Sequence, residues 1–235
     1  MGDLFRYNVY VLLKDVAFVV PSFNETLPLT KELARLLKYG EVVFVNDGSH
    51  KFIDISPLIT KKIFTINHVI NRGQGAALET GFEFIRLYLP KISYIVTFDS
   101  DGQHSLQDAL NMVRKARHGY DVVLGSRFLG KKNEINFLKR FFLKSFAKSY
   151  SLFSGIWITD RHFGLRVFSR RFIEKNSLRT ADFGHADEIL NLVVKSNWKF
   201  CEFPCTVKYT SYSVKKGQPL INGINLMFDK GIKKL

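Results

Sequence analysis

The run Asp99-Ser100-Asp101-Gly102-Gln103-His104 places two carboxylates one residue apart at the end of an apolar segment, Tyr94–Phe98. Two such carboxylates repel unless a cation lies between them. A hard divalent ion, Mg2+ or Mn2+, accepts oxygen ligands and can hold a diphosphate at the same time. Asp99, Asp101 and the carbonyl oxygen of Gln103 are the candidate ligands. The same run would also serve as a solvated Asp-Gly turn. A second run, Asn71-Arg72-Gly73-Gln74-Gly75-Ala76-Ala77, opens a helical pattern with two glycines, which suits close approach of backbone amides to phosphate or a plain turn. A third, Val45-Asn46-Asp47-Gly48-Ser49, ends a strand with a carboxylate able to accept from a base imino group or a ribose hydroxyl, or to close an Asp-Gly turn.

These groups need a scaffold, and the apolar pattern supplies one. Strands are expected at Val16–Val20, Val42–Val45, Ile63–Asn67, Tyr94–Phe98 and Asp121–Leu124, with helices at Pro28–Lys38, Ala76–Leu89 and Leu106–Arg117 between them. Continuous apolar strands alternating with helices imply a parallel, doubly wound α/β sheet covered on both faces. Ligands of such sheets bind outside the carboxyl ends of the strands. Those ends carry Pro21-Ser22-Phe23-Asn24-Glu25, Asp47, Asp99–Asp101 and Gly125-Ser126-Arg127. Farther on, strands are expected at Leu165–Ser169 and Phe200–Lys208, with a helix at Ala186–Lys195. A helix at Phe137–Phe153 has a Phe/Tyr stripe opposite Lys139, Arg140, Lys144 and Lys148.

Composition narrows the class. The chain has 235 residues, 46% of them hydrophobic with 22 Phe, which gives a real core and excludes disorder. One α/β domain over 1–235 is expected, with no repeat and no linker. Two cysteines, Cys201 and Cys205, are too few for a disulfide framework and read as buried free thiols on one face. The apolar run Asn8–Phe23 is broken by Lys14, Asp15 and Pro21, short of the ~20 residues a transmembrane helix needs. The net charge is +14, and residues 1–105 carry 11 basic and 11 acidic side chains, so the whole excess lies in 106–235. A basic half suits an anionic partner. No nucleic-acid recognition motif accompanies the charge, so nucleic acid is not expected as that partner.

In order and spacing, Val20-Pro21-Ser22-Phe23-Asn24-Glu25, Asn46–Ser49, Asn71–Gly75, Asp99–His104, Gly125–Phe128, Thr159-Asp160 and Gly164-Leu165-Arg166 resemble the family 2 glycosyltransferases of GT-A fold. The nearest branch is the dolichyl-phosphate mannose synthase and polyprenyl-phosphate glycosyltransferase group. The resemblance implies a Rossmann-like, mostly parallel sheet flanked by helices. It implies a nucleotide-sugar and metal half at about 1–105 and an acceptor half at about 106–235, closed by a loop at 209–218. Pro21, Asn24, Glu25, Asp47, Gly73, Gly75, Asp99 and Lys216 would bind the nucleotide sugar, and Asp99, Asp101 and Gln103 the metal. Ser126, Arg127, Arg166 and His185 would face the acceptor, and Asp101, Arg127, Asp160 and Arg166 would carry catalysis. His185, Asp187 and Glu188 suit helix capping and a solvated face as well as an acceptor role. Where the family often has a further Asp after Asp-Gly-Ser, this chain has His50 and Lys51.

The implied activity is metal-dependent transfer, with inversion, of a sugar from a nucleotide-diphosphate donor to an anionic lipid such as polyprenyl phosphate. Two other readings stay open: a soluble glycosyltransferase acting on a hydroxyl of a glycan or polymer precursor, and a non-catalytic nucleotide-sugar or lipid-binding module. The expected location is cytoplasmic, peripheral on the cytoplasmic face of the membrane. The Phe/Lys helix at 137–153 suits that contact. A Phe-rich surface suits a homodimer face or a membrane-protein partner equally.

Overall fold

The computed structural model describes residues 13–25, 28–51, 54–60, 62–129, 158–182 and 184–207. Seven strands form one sheet: β1 (Val16–Ser22), β2 (Glu41–Asn46), β3 (Ile63–Asn67), β4 (Tyr94–Thr97), β5 (Val122–Ser126), β6 (Arg166–Ser169) and β7 (Phe200–Pro204). Their order across the sheet is β3-β2-β1-β4-β6-β5-β7. Among the described residues five helices flank it: α1 (Pro28–Leu36), α2 (Gln74–Tyr88), α3 (Leu106–Arg117), α4 (Arg170–Lys175) and α5 (His185–Lys195), and a 3-10 turn covers Ser56–Leu58.

Period-two alternation along the strands sorts the core into two layers. Val16, Phe18 and Val20 of β1 pack with Leu29, Leu33 and Leu36 of α1 and with Leu110 and Val113 of α3. Ala17 and Val19 point the other way, to Leu78, Phe82 and Ile85 of α2 and to Ile189 and Val193 of α5. α2 lies close to the sheet because Gly81 faces Val19, where an added Cβ would sit 2.4 Å from Val19 Cγ1. Ser105 and Ser169 cap α3 and α4 through their hydroxyls, each accepting the amide N–H three residues on.

The expected mostly parallel α/β sheet is present, with one reversal. β6 pairs antiparallel with both β4 and β5. β1 runs on through Pro21 to Ser22, and α2 starts at Gln74 rather than Ala76. β7 stops at Pro204, whose ring cannot donate to a ladder. The cysteines are free and pack on the same cluster, though Cys201 is only half-buried. Among the described residues no helix is long and apolar enough to cross a membrane. The expected helix at 137–153 and loop at 209–218, with Lys216, lie outside the described residues.

Candidate active site

The carboxyl ends of β1, β2 and β3 enclose a cleft of ≈ 460 Å3 lined by Glu25, Asn46, Ser49, Lys51, Asp54 and Asn67 among others. The β1 and β2 ends are tied together, since Asn24 N–H donates to Ser49 Oγ at 2.9 Å and Asn24 Oδ1 accepts from His50 N–H at 3.0 Å. Asn24 adopts φ +52°, a backbone state asparagine tolerates. Glu25 lines the cleft, while Pro21 is buried within β1.

Asp47 faces inward and is 3% exposed. Its Oδ1 accepts from His68 Nδ1 at 2.7 Å and from the Arg72 amide at 2.9 Å, and its Oδ2 accepts from the Gly73 amide at 2.9 Å. It therefore staples the 71–73 turn to the end of β2. The amides that the sequence assigns to phosphate are likewise committed inside the protein. Gly75 and Ala76 N–H both donate to the Ala181 carbonyl, at 2.7 and 3.2 Å. An added Cβ at Gly73 would meet Ala181 O at 2.5 Å, and one at Gly75 would meet Thr180 O at 2.0 Å. The glycines admit the 180–182 backbone and so form a packing joint between the two halves of the chain.

Beyond β4, Asp99 is gripped from two sides. Gln74 Nε2 donates to its Oδ1 at 3.0 Å and His104 Nε2 to its Oδ2 at 2.8 Å. The His104 ring is held edge-on between Phe98 and Phe163. Gly164 passes so close that an added Cβ would lie 2.1 Å from Asp99 Oδ2. Asp101 Oδ1 accepts from the Gln103 amide at 3.0 Å.

Across the edge, Arg127 and Asp160 form a bidentate pair, Nε to Oδ2 at 2.7 Å and Nη2 to Oδ1 at 2.8 Å. The Arg127 amide adds a third bond to Oδ2 at 3.0 Å. The guanidinium also stacks on Phe163, 5.5 Å from the ring centre. Arg166 is buried at the start of β6, donating through Nε to Phe163 O and through Nη2 to Arg161 O, while its Nη1 has no hydrogen-bond partner among the described residues. Ser126 is fully buried and bonds Thr159 Oγ1 at 2.6 Å, so it supports the turn.

A family model, Glycosyl transferase family 2, matches residues 17–176, which span β1 to the end of α4. The chain belongs to glycosyl transferase family 2. An uncharacterized protein of Methanocaldococcus jannaschii is 36% identical to it, over 94% of this chain and 93% of that one. The UDP-N-acetylglucosamine–dolichyl-phosphate N-acetylglucosaminyltransferase of Methanococcus voltae is 25% identical, over 92% of this chain and 94% of its own. Among solved structures, glucosyl-3-phosphoglycerate synthase from Mycobacterium tuberculosis, in complex with Mn2+, UDP and phosphoglyceric acid, superposes with a TM-score of 0.62 at 12% identity. That match covers 89% of this chain and 73% of that one, and establishes the GT-A fold.

The charges of this glycosyltransferase divide unevenly. Burial alone would raise the Asp99 carboxyl, yet His104, His185 and Arg166 together hold it below the ordinary carboxylate range. Asp101 goes the other way, pushed up by burial and then by the charges of Asp99 and Glu25. Burial lowers Arg166 to about 10, against the pull of Asp160 and Asp99. His185 is 6% exposed, its Nδ1 donates to Asp182 O at 2.8 Å, and burial with Arg166 nearby lowers its pKa. A neutral imidazole is thus the resting state, and the solvated-face reading of His185 does not hold. Asp187 pairs with Arg161, and Glu188 accepts from the Arg179 and Thr180 amides. Among the described residues no three His, Cys, Asp or Glu side chains gather tightly enough to hold a metal ion by themselves.

Two positioning residues escaped the sequence reading, His68 and Glu202, while Gln74 and Thr159 were quoted within motifs but given no role of their own. Each acts on a partner distant in the chain. Glu202 alone left a trace, an acidic residue inside the apolar strand Phe200–Pro204.

Proposed function

We propose that this enzyme transfers a sugar, with inversion at the anomeric carbon, from a nucleotide-diphosphate sugar to the phosphate of a lipid such as polyprenyl phosphate. The observation that carries the reading is a contrast along one sheet edge. Asp101 is a carboxylate short of positive neighbours, whereas Arg127 and Arg166 are cations held in fixed orientation.

Excess negative charge at Asp101 is what a divalent cation relieves, so the residues present fit Mg2+ or Mn2+. Asp101 would be the principal protein ligand, with Gln103 beside it. Both oxygens of Asp99 already accept bonds from the chain. When bound, the ion would neutralise charge on the leaving diphosphate. Glu25 and Asn24 frame the cleft for the base and ribose, Pro21 shapes its floor, and Asp47 acts through the 71–73 turn, with Gly73 and Gly75 seating that turn. Lys216 is the proposed further cation toward the diphosphate.

On the acceptor side, a lipid monophosphate with a second pKa of about 6 is largely dianionic at neutral pH. It attacks without a general base, and the enzyme's task is to position it. Arg127 suits that task by bidentate geometry. Both oxygens of Asp160 are occupied by Arg127, which favours an orienting role for Asp160 over proton abstraction. Arg166 has one guanidinium nitrogen without a hydrogen-bond partner among the described residues. Ser126 supports the Thr159–Asp160 turn, and neutral His185 sits near Asp99 and Arg166. The reaction takes place at the cytoplasmic surface of the membrane that holds the lipid. The Methanococcus voltae relative makes UDP-N-acetylglucosamine and dolichyl phosphate the first substrate pair to try.

The test is an acceptor screen with Mn2+, a panel of UDP- and GDP-sugars, and polyprenyl phosphate against oligosaccharides. Transfer to lipid phosphate, abolished by EDTA and by Asp101→Asn, is expected. Transfer only to sugar hydroxyls refutes the acceptor assignment, and full activity in EDTA refutes the metal.

A further inference from the structure

Large apolar side chains exposed on the described surface are unevenly placed. Leu87 and Tyr88 end α2 at the amino edge of the sheet and Ile59 follows the 3-10 turn at the wall of the cleft, whereas Phe23, Val69, Ile70 and Leu129 lie in the loops leaving β1, β3 and β5 at the carboxyl edge. Val69 is 99% exposed and Ile70 68%.

These two are held out by a rigid bracket. On one side His68 is pinned through both ring nitrogens, to Asp47 Oδ1 at 2.7 Å and to Thr80 Oγ1 at 2.9 Å. On the other, the Arg72 and Gly73 amides donate to the Asp47 carboxylate. Beneath, Gly48 presses on the Ile70 backbone, where an added Cβ would lie 2.3 Å from the carbonyl carbon. Phe23, exposed in the loop after β1, makes an edge contact with His50 at the same edge of the sheet. The fold thus uses buried hydrogen bonds to present two aliphatic side chains to water in a fixed conformation, so little entropy is lost when they are covered.

The charge around the tip selects the partner. Residues 68–72 contain no acid, Arg72 and Lys51 are exposed, Asp47 is buried and engaged, and the exposed Asp182 carboxylate meets the turn only at its foot, against Gly73. A narrow apolar tip among cations fits the interface of an anionic bilayer, where the aliphatic groups sink to the acyl boundary and the cations stay with the headgroups. A protein interface would call for a broader apolar patch.

We propose that the Val69–Ile70 tip inserts into an anionic bilayer surface and so turns the carboxyl edge of the sheet, cleft included, toward the membrane. This rests on the lipid-acceptor reading for the choice of a bilayer as partner.

The experiment uses the full chain and vesicles of phosphatidylcholine, alone or mixed with phosphatidylglycerol. The parent is expected to sediment with the mixed vesicles, and the double variant V69S/I70S to bind them about ten-fold more weakly. A tryptophan introduced by Val69→Trp should be quenched by brominated acyl chains, and one introduced by Leu87→Trp should not, each read against the parent's own two tryptophans. A parent that ignores anionic vesicles, a double variant that binds like the parent, or quenching no stronger for Val69→Trp than for Leu87→Trp overturns the proposal. Transfer to a short, water-soluble prenyl phosphate is measured on the same proteins, and V69S/I70S should match the parent. A parent that binds vesicles but transfers nothing counts against the reaction alone. One that transfers in solution but ignores vesicles counts against docking alone.

Discussion

Glu202 holds Thr159 through a single oxygen: Oε1 accepts from the Thr159 amide at 2.8 Å and from the Thr159 hydroxyl at 2.7 Å. The Asp160 amide reaches the same oxygen at 3.3 Å. A strand residue therefore sets the turn that sets Asp160, which in turn fixes Arg127. Glu202→Ala should lower kcat about ten-fold or more, the usual size for loss of a supporting partner. Glu202→Gln keeps an acceptor oxygen and should recover most of the rate. Equal loss in both variants would remove the positioning role.

Arg127→Lys tests the bidentate pair. Lysine keeps the charge but cannot match both oxygens of Asp160. Loss of one charged hydrogen bond costs about 1.5–3 kcal/mol, or roughly 10- to 100-fold in kcat/KM for the lipid phosphate. The KM for the nucleotide sugar should stay near the parent value. A donor-side effect as large as the acceptor-side one would contradict the division of the site.

Gly164→Ala separates stability from chemistry. The new methyl would overlap Asp99 Oδ2, and Asp99 must shift against the grip of Gln74 and His104. Transfer should fall steeply, with an unfolding cost of about 1–3 kcal/mol from overpacking. Gly75→Ala meets backbone at Thr180 instead of a side chain. Thermal unfolding should show Gly75→Ala as the more destabilised of the two, and the reverse order would count against the 180–182 joint.

The pH dependence of stability follows from His185 and His162, both lowered mainly by burial. Below the ordinary histidine value of 6.5 the unfolded chain binds protons that the folded one resists. Stability is therefore complete above that value and is lost as pH falls toward the lowered pKa. His185→Gln should narrow the gap in thermal midpoint between pH 7.5 and pH 5.5, with pH values chosen to bracket about 6.5. An unchanged gap would show that the buried imidazole does not contribute.

The α/β order of the first half was legible because each element carries its own period: β1 alternates between two cores, and α1 stacks Leu29, Leu33 and Leu36 on one face. The clustering of Asp99, Asp101 and Arg127 on one edge followed from strand ends alone, whereas Arg166, the first residue of β6, joins them only because β6 runs the other way. The reversal of β6 was not legible, since Arg166–Ser169 reads as a short apolar strand in either direction. The packing of the glycine turn was not legible for a similar reason. Gly73 and Gly75 are shaped by Thr180 and Ala181, more than a hundred residues away, and nothing local distinguishes a turn that receives phosphate from one that receives backbone. The grip of Gln74 and His104 on Asp99 depends on tertiary placement in the same way.

The reversed strand also bears on how such an enzyme can change. β5 leaves the sheet at Ser126 and β6 enters at Arg166 on the same edge, because the two run in opposite directions. The intervening chain needs no crossing of the sheet and has no fixed length to match. Closing a longer excursion costs only about 0.6 kcal/mol for each doubling. Insertions and deletions between β5 and β6 can therefore accumulate without altering strand register, so a lineage can change the length of chain between Arg127 and Arg166 while both stay at the same edge of the sheet.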